Sequence, residues 1–81
     1  MKVRVQFFSN LRDASGVSEI DVDLNEGATV ADLLEQLYAR TPALRAWDKS
    51  ILVGAGVEFV SRDHVIRPNE EIAVMPPVQG G

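Results

Sequence analysis

The residues best suited to chemistry stand at the C-terminal end of the sequence. Gly80 and Gly81 are its last two residues, and they follow the proline pair Pro76-Pro77. The carboxylate of Gly81 is ionised at neutral pH and is a poor electrophile, so another protein must activate it, typically as an acyl-adenylate. Because glycine has no Cβ, a Gly-Gly end passes through the narrow channel that leads to such an active site. We therefore expect Gly81 to react inside a partner protein.

Sulfur transfer to an activated Gly81 would leave a thiocarboxylate, which is a better nucleophile than a carboxylate. Such a group stores sulfur in a chain that has no cysteine. Residues 76–81 extend at most about 20 Å, which reaches into a neighbouring protein but is too short for a free tether. The sequence therefore predicts a single domain over residues 1–81, with 76–81 as a mobile C-terminal tail, and a sulfur-carrier role is one that such a tail permits. We do not expect it to be catalytic alone.

The composition argues against several other kinds of protein. The chain has 81 residues, of which 46% are hydrophobic and none is cysteine, so an apolar core must hold it without disulfides or thiolate metal ligands. The net charge of −4 argues against binding to nucleic acid, which needs clustered lysine and arginine. No stretch approaches the roughly 20 apolar residues that span a bilayer, and no signal peptide is evident. We expect a cytoplasmic protein that binds neither membrane nor metal.

The tail must be positioned by the elements before it, and periodicity predicts one long helix among several strands. Thr29 is a good N-cap, with Asp32 at the capping-box spacing. An apolar stripe at helical spacing follows until Pro42, because the residue before a proline is driven out of the α region. Gly54-Ala55-Gly56 is expected to be a bend. Period-two alternation and short apolar runs predict strands over Lys2–Phe8, Glu19–Leu24, Ile51–Val53, Val57–Val60 and Glu71–Met75.

This order of elements favours one fold class. A hairpin, a single long helix and further strands predict an α+β domain in which the main helix packs across one face of a mixed sheet. That is the ubiquitin-like β-grasp arrangement. A ferredoxin-like fold fits less well, because it would need a second full helix.

Two apolar residues break the alternation of their strands. Phe8 lies an even number of residues from the polar residues Arg4 and Gln6, so it faces the same, outward side of the strand as they do. Met75 has the same relation to Glu71. Either each strand twists and tucks these side chains away, or they form an apolar patch for a protein partner, where methionine and aromatic residues are enriched. Phe59 belongs to the same patch if its strand register places it there.

Four segments of the chain resemble a known family. They are Val5 to Arg12, Thr29 to Leu34, Asp63-His64, and the ending from Asn69 through Pro76-Pro77 to Gly80-Gly81. Together they resemble the small subunits of molybdopterin synthase, which are ubiquitin-like sulfur-carrier proteins, and the resemblance covers essentially the whole chain.

The resemblance implies a defined pathway with several partners. An adenylyltransferase similar to the ubiquitin-activating enzymes would use ATP to adenylate Gly81, and a sulfurtransferase would supply the sulfur of the thiocarboxylate. The tail would then enter the large subunit of a heterotetrameric synthase, with Gly80 as its channel-fitting neighbour. This chain would bind no cofactor itself. The residues implied in partner contacts are Phe8, Phe59, Met75, Pro76, Pro77, Val78 and Gln79.

Other functions remain open from the sequence. The chain could carry sulfur for thiamine, tRNA thiolation or a tungsten cofactor. A ubiquitin-like modifier would instead join Gly81 to a lysine. A non-covalent adaptor would make no use of its terminal glycines.

Overall fold

A computed structural model describes residues 1–77. Within that range the chain forms five strands, two α-helices and one 3₁₀ segment. In chain order these are β1 (Lys2–Phe7), α1 (Asn10–Ser15), β2 (Glu19–Asp23), α2 (Val30–Arg40), the 3₁₀ segment (Pro42–Ser50), β3 (Leu52–Ala55), β4 (Glu58–Val60) and β5 (Glu71–Met75).

The five strands form one mixed sheet in the order β2-β1-β5-β3-β4. Strand β5 lies in the middle, parallel to β1 and antiparallel to β3. The other two pairs, β1 with β2 and β3 with β4, are antiparallel. The predicted mixed sheet is confirmed, and its last strand in sequence, the one that leads into the tail, is held on both sides.

Helix α2 begins where the sequence predicts. The Thr29 hydroxyl accepts a hydrogen bond from the Asp32 amide (3.3 Å), and the Asp32 carboxylate accepts one from the Thr29 amide (2.9 Å), which completes the capping box. The amide of Val30 donates to the carbonyl of His64 at 3.0 Å. A distant loop thus helps to cap the helix that packs on the sheet.

The core lies between α2 and one face of the sheet. The predicted helical stripe is buried, and so are the inward-facing residues of the strands. Among the described residues, no buried side chain is charged, and the Tyr38 hydroxyl is the only polar group on a buried side chain. The main contributors are Val30, Leu33, Leu34, Leu37 and Tyr38 from α2, and Val3, Val5, Phe7, Ile72 and Val74 from β1 and β5.

Strand β3 differs from the prediction. Gly54 and Ala55 lie inside the strand and not in a bend, and the turn occupies Gly56-Val57. Gly54 pairs with Ala73 on one side and with Phe59 on the other. Ladder bonds to two neighbouring strands override the weak intrinsic preference of glycine for a strand.

Within residues 1–77, no helix has both the length and the apolar composition needed to cross a bilayer.

Candidate functional site

The tail leaves the sheet from its central strand. The amide of Phe8 donates to the carbonyl of Val74 at 3.1 Å, one residue before β5 ends at Met75. Pro76 and Pro77 follow, and because proline has no N–H they cannot extend the ladder. Pro76 is half-buried and Pro77 is exposed. The base of the tail is therefore fixed by β5 and its two neighbours.

The strand register places Met75 and Phe59 on the face of the sheet opposite α2. Residues paired directly across strands point to the same side. Ala73 pairs with Gly54, and Gly54 pairs with Phe59, while Met75 pairs with Leu52 one row nearer the tail. The predicted outward parity of Met75 is confirmed, and the register of Phe59, which the sequence leaves open, puts it on the same face.

Phe8, Phe59 and Met75 form what we call the apolar face. Phe8 is 41% exposed and Phe59 is 66% exposed, whereas Met75 is half-buried. Phe8 is not tucked beneath the α1 turn, the alternative that parity left open. Large apolar side chains exposed beside one another are typical of protein–protein contact surfaces. Their role as partner contacts stays a prediction.

The turn that follows Phe8 has an unusual backbone. Ser9 has φ 53° and ψ −130°, close to the first central residue of a type II′ turn, a position that favours glycine. The Leu11 amide closes this turn with a hydrogen bond to the Phe8 carbonyl at 3.1 Å. The turn ends β1 immediately after Phe7 and fixes the direction in which Phe8 leaves the sheet.

Two hollows open beside the apolar face. The larger, of about 680 Å³, lies at the base of the tail and is lined by Phe8, Trp47, Met75, Pro76 and Pro77 together with small polar residues. The smaller, of about 130 Å³, lies between Phe59 and Met75. Met75 lines both, so the two hollows form one continuous surface that runs from β4 to the tail.

The groups with perturbed pKa values lie elsewhere. Burial, together with a 2.5 Å hydrogen bond to Asp48, raises the pKa of Tyr38 far above its ordinary value. Hydrogen bonds from Tyr38 and then Arg62 lower the pKa of Asp48. Burial alone would raise the pKa of Glu70, but hydrogen bonds from the Arg67 amide (3.1 Å) and from His64 (3.1 Å) outweigh it and lower that pKa.

None of these perturbed groups lines either hollow. Among the described lining residues, only Glu58 carries a titratable side chain. Residues 1–77 also contain no group of three or more His, Asp or Glu side chains placed to hold a metal ion. Within residues 1–77, the lining of the two hollows therefore offers no acid–base pair.

Four of the predicted functional residues fall beyond the described part of the chain. Val78, Gln79, Gly80 and Gly81, and with them most of the predicted mobile tail, lie outside residues 1–77. The structure places the others together: Phe8, Met75, Pro76 and Pro77 line one hollow, and Met75 joins it to Phe59.

Comparison with known families decides the relationship. The sequence profile of the ThiS family matches residues 5–81. The chain belongs to the ThiS family. This member of the family is 32% identical to the molybdopterin synthase sulfur carrier subunit of Chlamydomonas reinhardtii, over 83 aligned residues that cover 100% of both chains. The predicted resemblance is confirmed.

Two solved structures share the fold of this ThiS-family chain over nearly its whole length. Molybdopterin converting factor subunit 1 of Pyrococcus furiosus has a TM-score of 0.87 and 29% identity, covering 96% of this chain and 99% of that one. SAMP1 of Haloferax volcanii, a small archaeal modifier protein, has a TM-score of 0.86 and 29% identity, covering 100% of both chains. The ubiquitin-like β-grasp prediction is confirmed.

Sequence reasoning missed three features of this surface. Val57 is fully exposed at the tip of the β3–β4 turn. A β-branched residue in a turn is unusual, and this is the sequence signal that could have indicated an exposed apolar residue here. Gly54 belongs to the smaller hollow, which only the strand pairing reveals. The positive φ of Ser9 carries no sequence signal, because glycine is the residue expected there.

Proposed function

We propose that this chain is the sulfur carrier subunit of molybdopterin synthase. One observation carries the proposal: the 32% identity to the molybdopterin synthase sulfur carrier subunit of Chlamydomonas reinhardtii extends over the full length of both chains. The structure supports it, because the central strand β5 delivers Pro76 and Pro77 straight into the segment that ends in the two glycines.

The chemistry begins with the carboxylate of Gly81. It attacks the α-phosphate of ATP in an activating partner, which releases pyrophosphate and leaves an acyl-adenylate. A persulfide on the sulfurtransferase then attacks the adenylate carbonyl and displaces AMP, and a thiol cleaves the S–S bond of the resulting acyl disulfide, which leaves a thiocarboxylate on Gly81 and a disulfide as the other product. A carboxylate is a poor electrophile and the adenylate a good one, so the first step makes the second possible. This chain binds neither ATP nor any other cofactor in the proposal.

The proposed steps require several partner proteins. The relatives in Chlamydomonas and Pyrococcus are both called subunits, which supports a partner subunit for this chain. We assign that role to the large subunit of a heterotetrameric synthase, which takes up the tail and uses its sulfur to form the dithiolene. A ubiquitin-activating-like adenylyltransferase and a sulfurtransferase load the tail beforehand. We place these steps in the cytoplasm, where thiols are kept reduced.

The apolar face is the docking surface in this proposal. Phe8, Phe59 and Met75 contact the partner, and Pro76 and Pro77 aim the tail into it. Val78, Gln79 and Gly80 follow in the partner's channel, where the absence of a side chain at Gly80 lets the backbone pass.

The proposal is tested by the mass of the intact protein purified from its own organism. We expect a fraction whose mass shows one oxygen replaced by sulfur, located on Gly81 by fragmentation. The control is the same protein from a strain that lacks the adenylyltransferase, which should carry no sulfur. Unmodified protein in both strains would contradict the proposal.

A second candidate is a ubiquitin-like modifier, which the full-length similarity to SAMP1 favours. The same adenylate of Gly81 would then be attacked by a lysine amine in place of sulfur. The mass experiment separates the two, because a modifier gives conjugates in which Gly81 is joined to a lysine of another protein. Sulfur carriers for thiamine, tRNA thiolation or a tungsten cofactor would be told apart from a molybdopterin carrier by deleting the gene and identifying which of these products is no longer made.

A further inference from the structure

The smaller hollow exists because residue 54 has no side chain. Gly54 and Ala73 pair across β3 and β5 and form its floor, and Phe59 and Met75 stand on either side. A Cβ added at Gly54 would lie 3.5 Å from the Met75 Cε and 3.8 Å from the Ala73 Cβ. These are ordinary contact distances, so a side chain at position 54 would fit the sheet and would occupy the hollow.

The size of the hollow indicates what it can hold. Small-molecule sites usually enclose about 300–1,000 Å³, whereas this hollow measures about 130 Å³. It is therefore suited to one side chain. Its described lining is apolar apart from Glu58, and Val57 at its edge is fully exposed. An aliphatic or aromatic side chain is the occupant that such a lining favours.

The short tail limits where the protein that brings this side chain can bind. Four residues follow Pro77 in the sequence, and fully extended they reach at most about 14 Å. A partner that acts on Gly81 must therefore lie against the surface around Pro77. Met75 lines both the hollow at the base of the tail and the smaller one, so the partner's contact surface continues over the smaller hollow.

The geometry points to this hollow as a pocket for a single apolar side chain of the synthase large subunit, with Gly54 as the residue that sets its depth. The identity of the partner rests on the proposed function. Buried anchors of this kind carry much of the free energy of protein association. Gly54 thus acts as a specificity-determining residue without providing any contact of its own.

A graded series at one position tests the pocket. Gly54→Ala, Gly54→Val and Gly54→Leu fill the hollow step by step, and the dissociation constant for the purified large subunit of the same organism is measured for each. We expect the constant to rise in the order of side-chain volume, by about tenfold or more for the leucine variant. Because glycine is unfavourable inside a strand, the thermal midpoint of the alanine variant should rise while its affinity falls.

The control is Val65→Leu, which adds apolar volume to a half-exposed residue in the loop beside the start of α2. Its affinity should equal that of the wild type. Equal affinity across the whole Gly54 series would overturn the pocket. Affinity loss in the alanine variant accompanied by a lower thermal midpoint would also overturn it, because loss of fold would then explain the result.

The two proposals fail in different ways. If the wild-type protein carries sulfur on Gly81 and binds the large subunit, but all Gly54 variants bind it with the wild-type dissociation constant, then only the pocket is wrong. If the protein carries no sulfur and does not bind the large subunit, then the proposed function is wrong and the pocket loses its partner.

Discussion

The three phenylalanines of the chain should separate folding from docking when each is changed to alanine. Their exposed fractions are 3% for Phe7, 41% for Phe8 and 66% for Phe59. Phe7 points into the core, whereas the other two belong to the apolar face. We expect the loss of unfolding free energy to follow the order Phe7, Phe8, Phe59. The loss of affinity for the large subunit should follow the reverse order.

The magnitudes follow from burial. Removing a fully buried phenylalanine costs about 3–5 kcal/mol, so Phe7→Ala should unfold much of the protein. Burying a whole phenylalanine side chain stabilises a protein by about 1.5–3 kcal/mol. Scaled by the fraction of each side chain that the fold already buries, the loss of unfolding free energy should be about 1–2 kcal/mol for Phe8→Ala and about 0.5–1 kcal/mol for Phe59→Ala. The part left for a partner to cover is worth about 1 kcal/mol at Phe8 and about 1–2 at Phe59. The dissociation constant for the large subunit should therefore rise roughly fivefold for Phe8→Ala and roughly five- to thirtyfold for Phe59→Ala.

Two measurements check this ranking. Urea unfolding is followed by the fluorescence of Trp47, the chain's single tryptophan, which packs partly against the core. Binding to the large subunit is measured by calorimetry on the folded variants. The reasoning is refuted if Phe59→Ala destabilises the protein as much as Phe7→Ala does, or if neither Phe8→Ala nor Phe59→Ala weakens binding.

Three further outcomes are expected. Deleting Gly81 should abolish molybdopterin formation and leave the thermal midpoint unchanged, because the described core ends at β5; activity in the deletion would refute the carrier role. Ser9→Gly should raise the unfolding free energy by about 1 kcal/mol in urea, because glycine accepts its positive φ without strain; no gain would show that the turn is unstrained. The pKa of Glu70 is lower in the folded chain than its ordinary value of 4.5, so its charge stabilises the fold above that pH and this contribution is lost as the pH falls through the folded value. Wild type and Glu70→Gln should therefore differ in stability at pH 7 and converge in acid, and a constant difference across pH would refute this.

The bounds of a helix or strand could be predicted closely from the sequence where residues near one another in the chain determine them. The capping box of Thr29 and Asp32 depends on residues three apart, and the structure contains both of its hydrogen bonds. Strand β5 has the predicted bounds, Glu71–Met75, because its own residues alternate and a proline ends it. The length of the 3₁₀ segment depends instead on packing against α1 and α2, which no local pattern indicates.

The site could be predicted in part only. Parity gives the outward direction of Met75 from sequence alone. The face of Phe59 depends instead on which residues form the β3–β4 turn, and that turn is displaced because Gly54 and Ala55 join the strand. The pocket floor requires Gly54 to meet Ala73 and Phe59, which are 19 and five residues away along the chain. Pairings of this kind are set by the assembled sheet, so no local pattern reveals them.

Under the proposed function, the fixed base of the tail determines how the partners share this surface. Strand β5 is paired on both sides up to its end, so Pro76 leaves the sheet at a defined point. Gly81 is at most about 14 Å of extended chain away from Pro77. The protein that loads sulfur and the protein that takes it must both bring their active sites within that distance, against the same hollow beside Phe8 and Met75. They therefore cannot bind at the same time, and the carrier must leave one partner before it meets the other. A half-buried Met75 and a half-exposed Phe8 suit that exchange, because a larger apolar contact would slow release from the first partner.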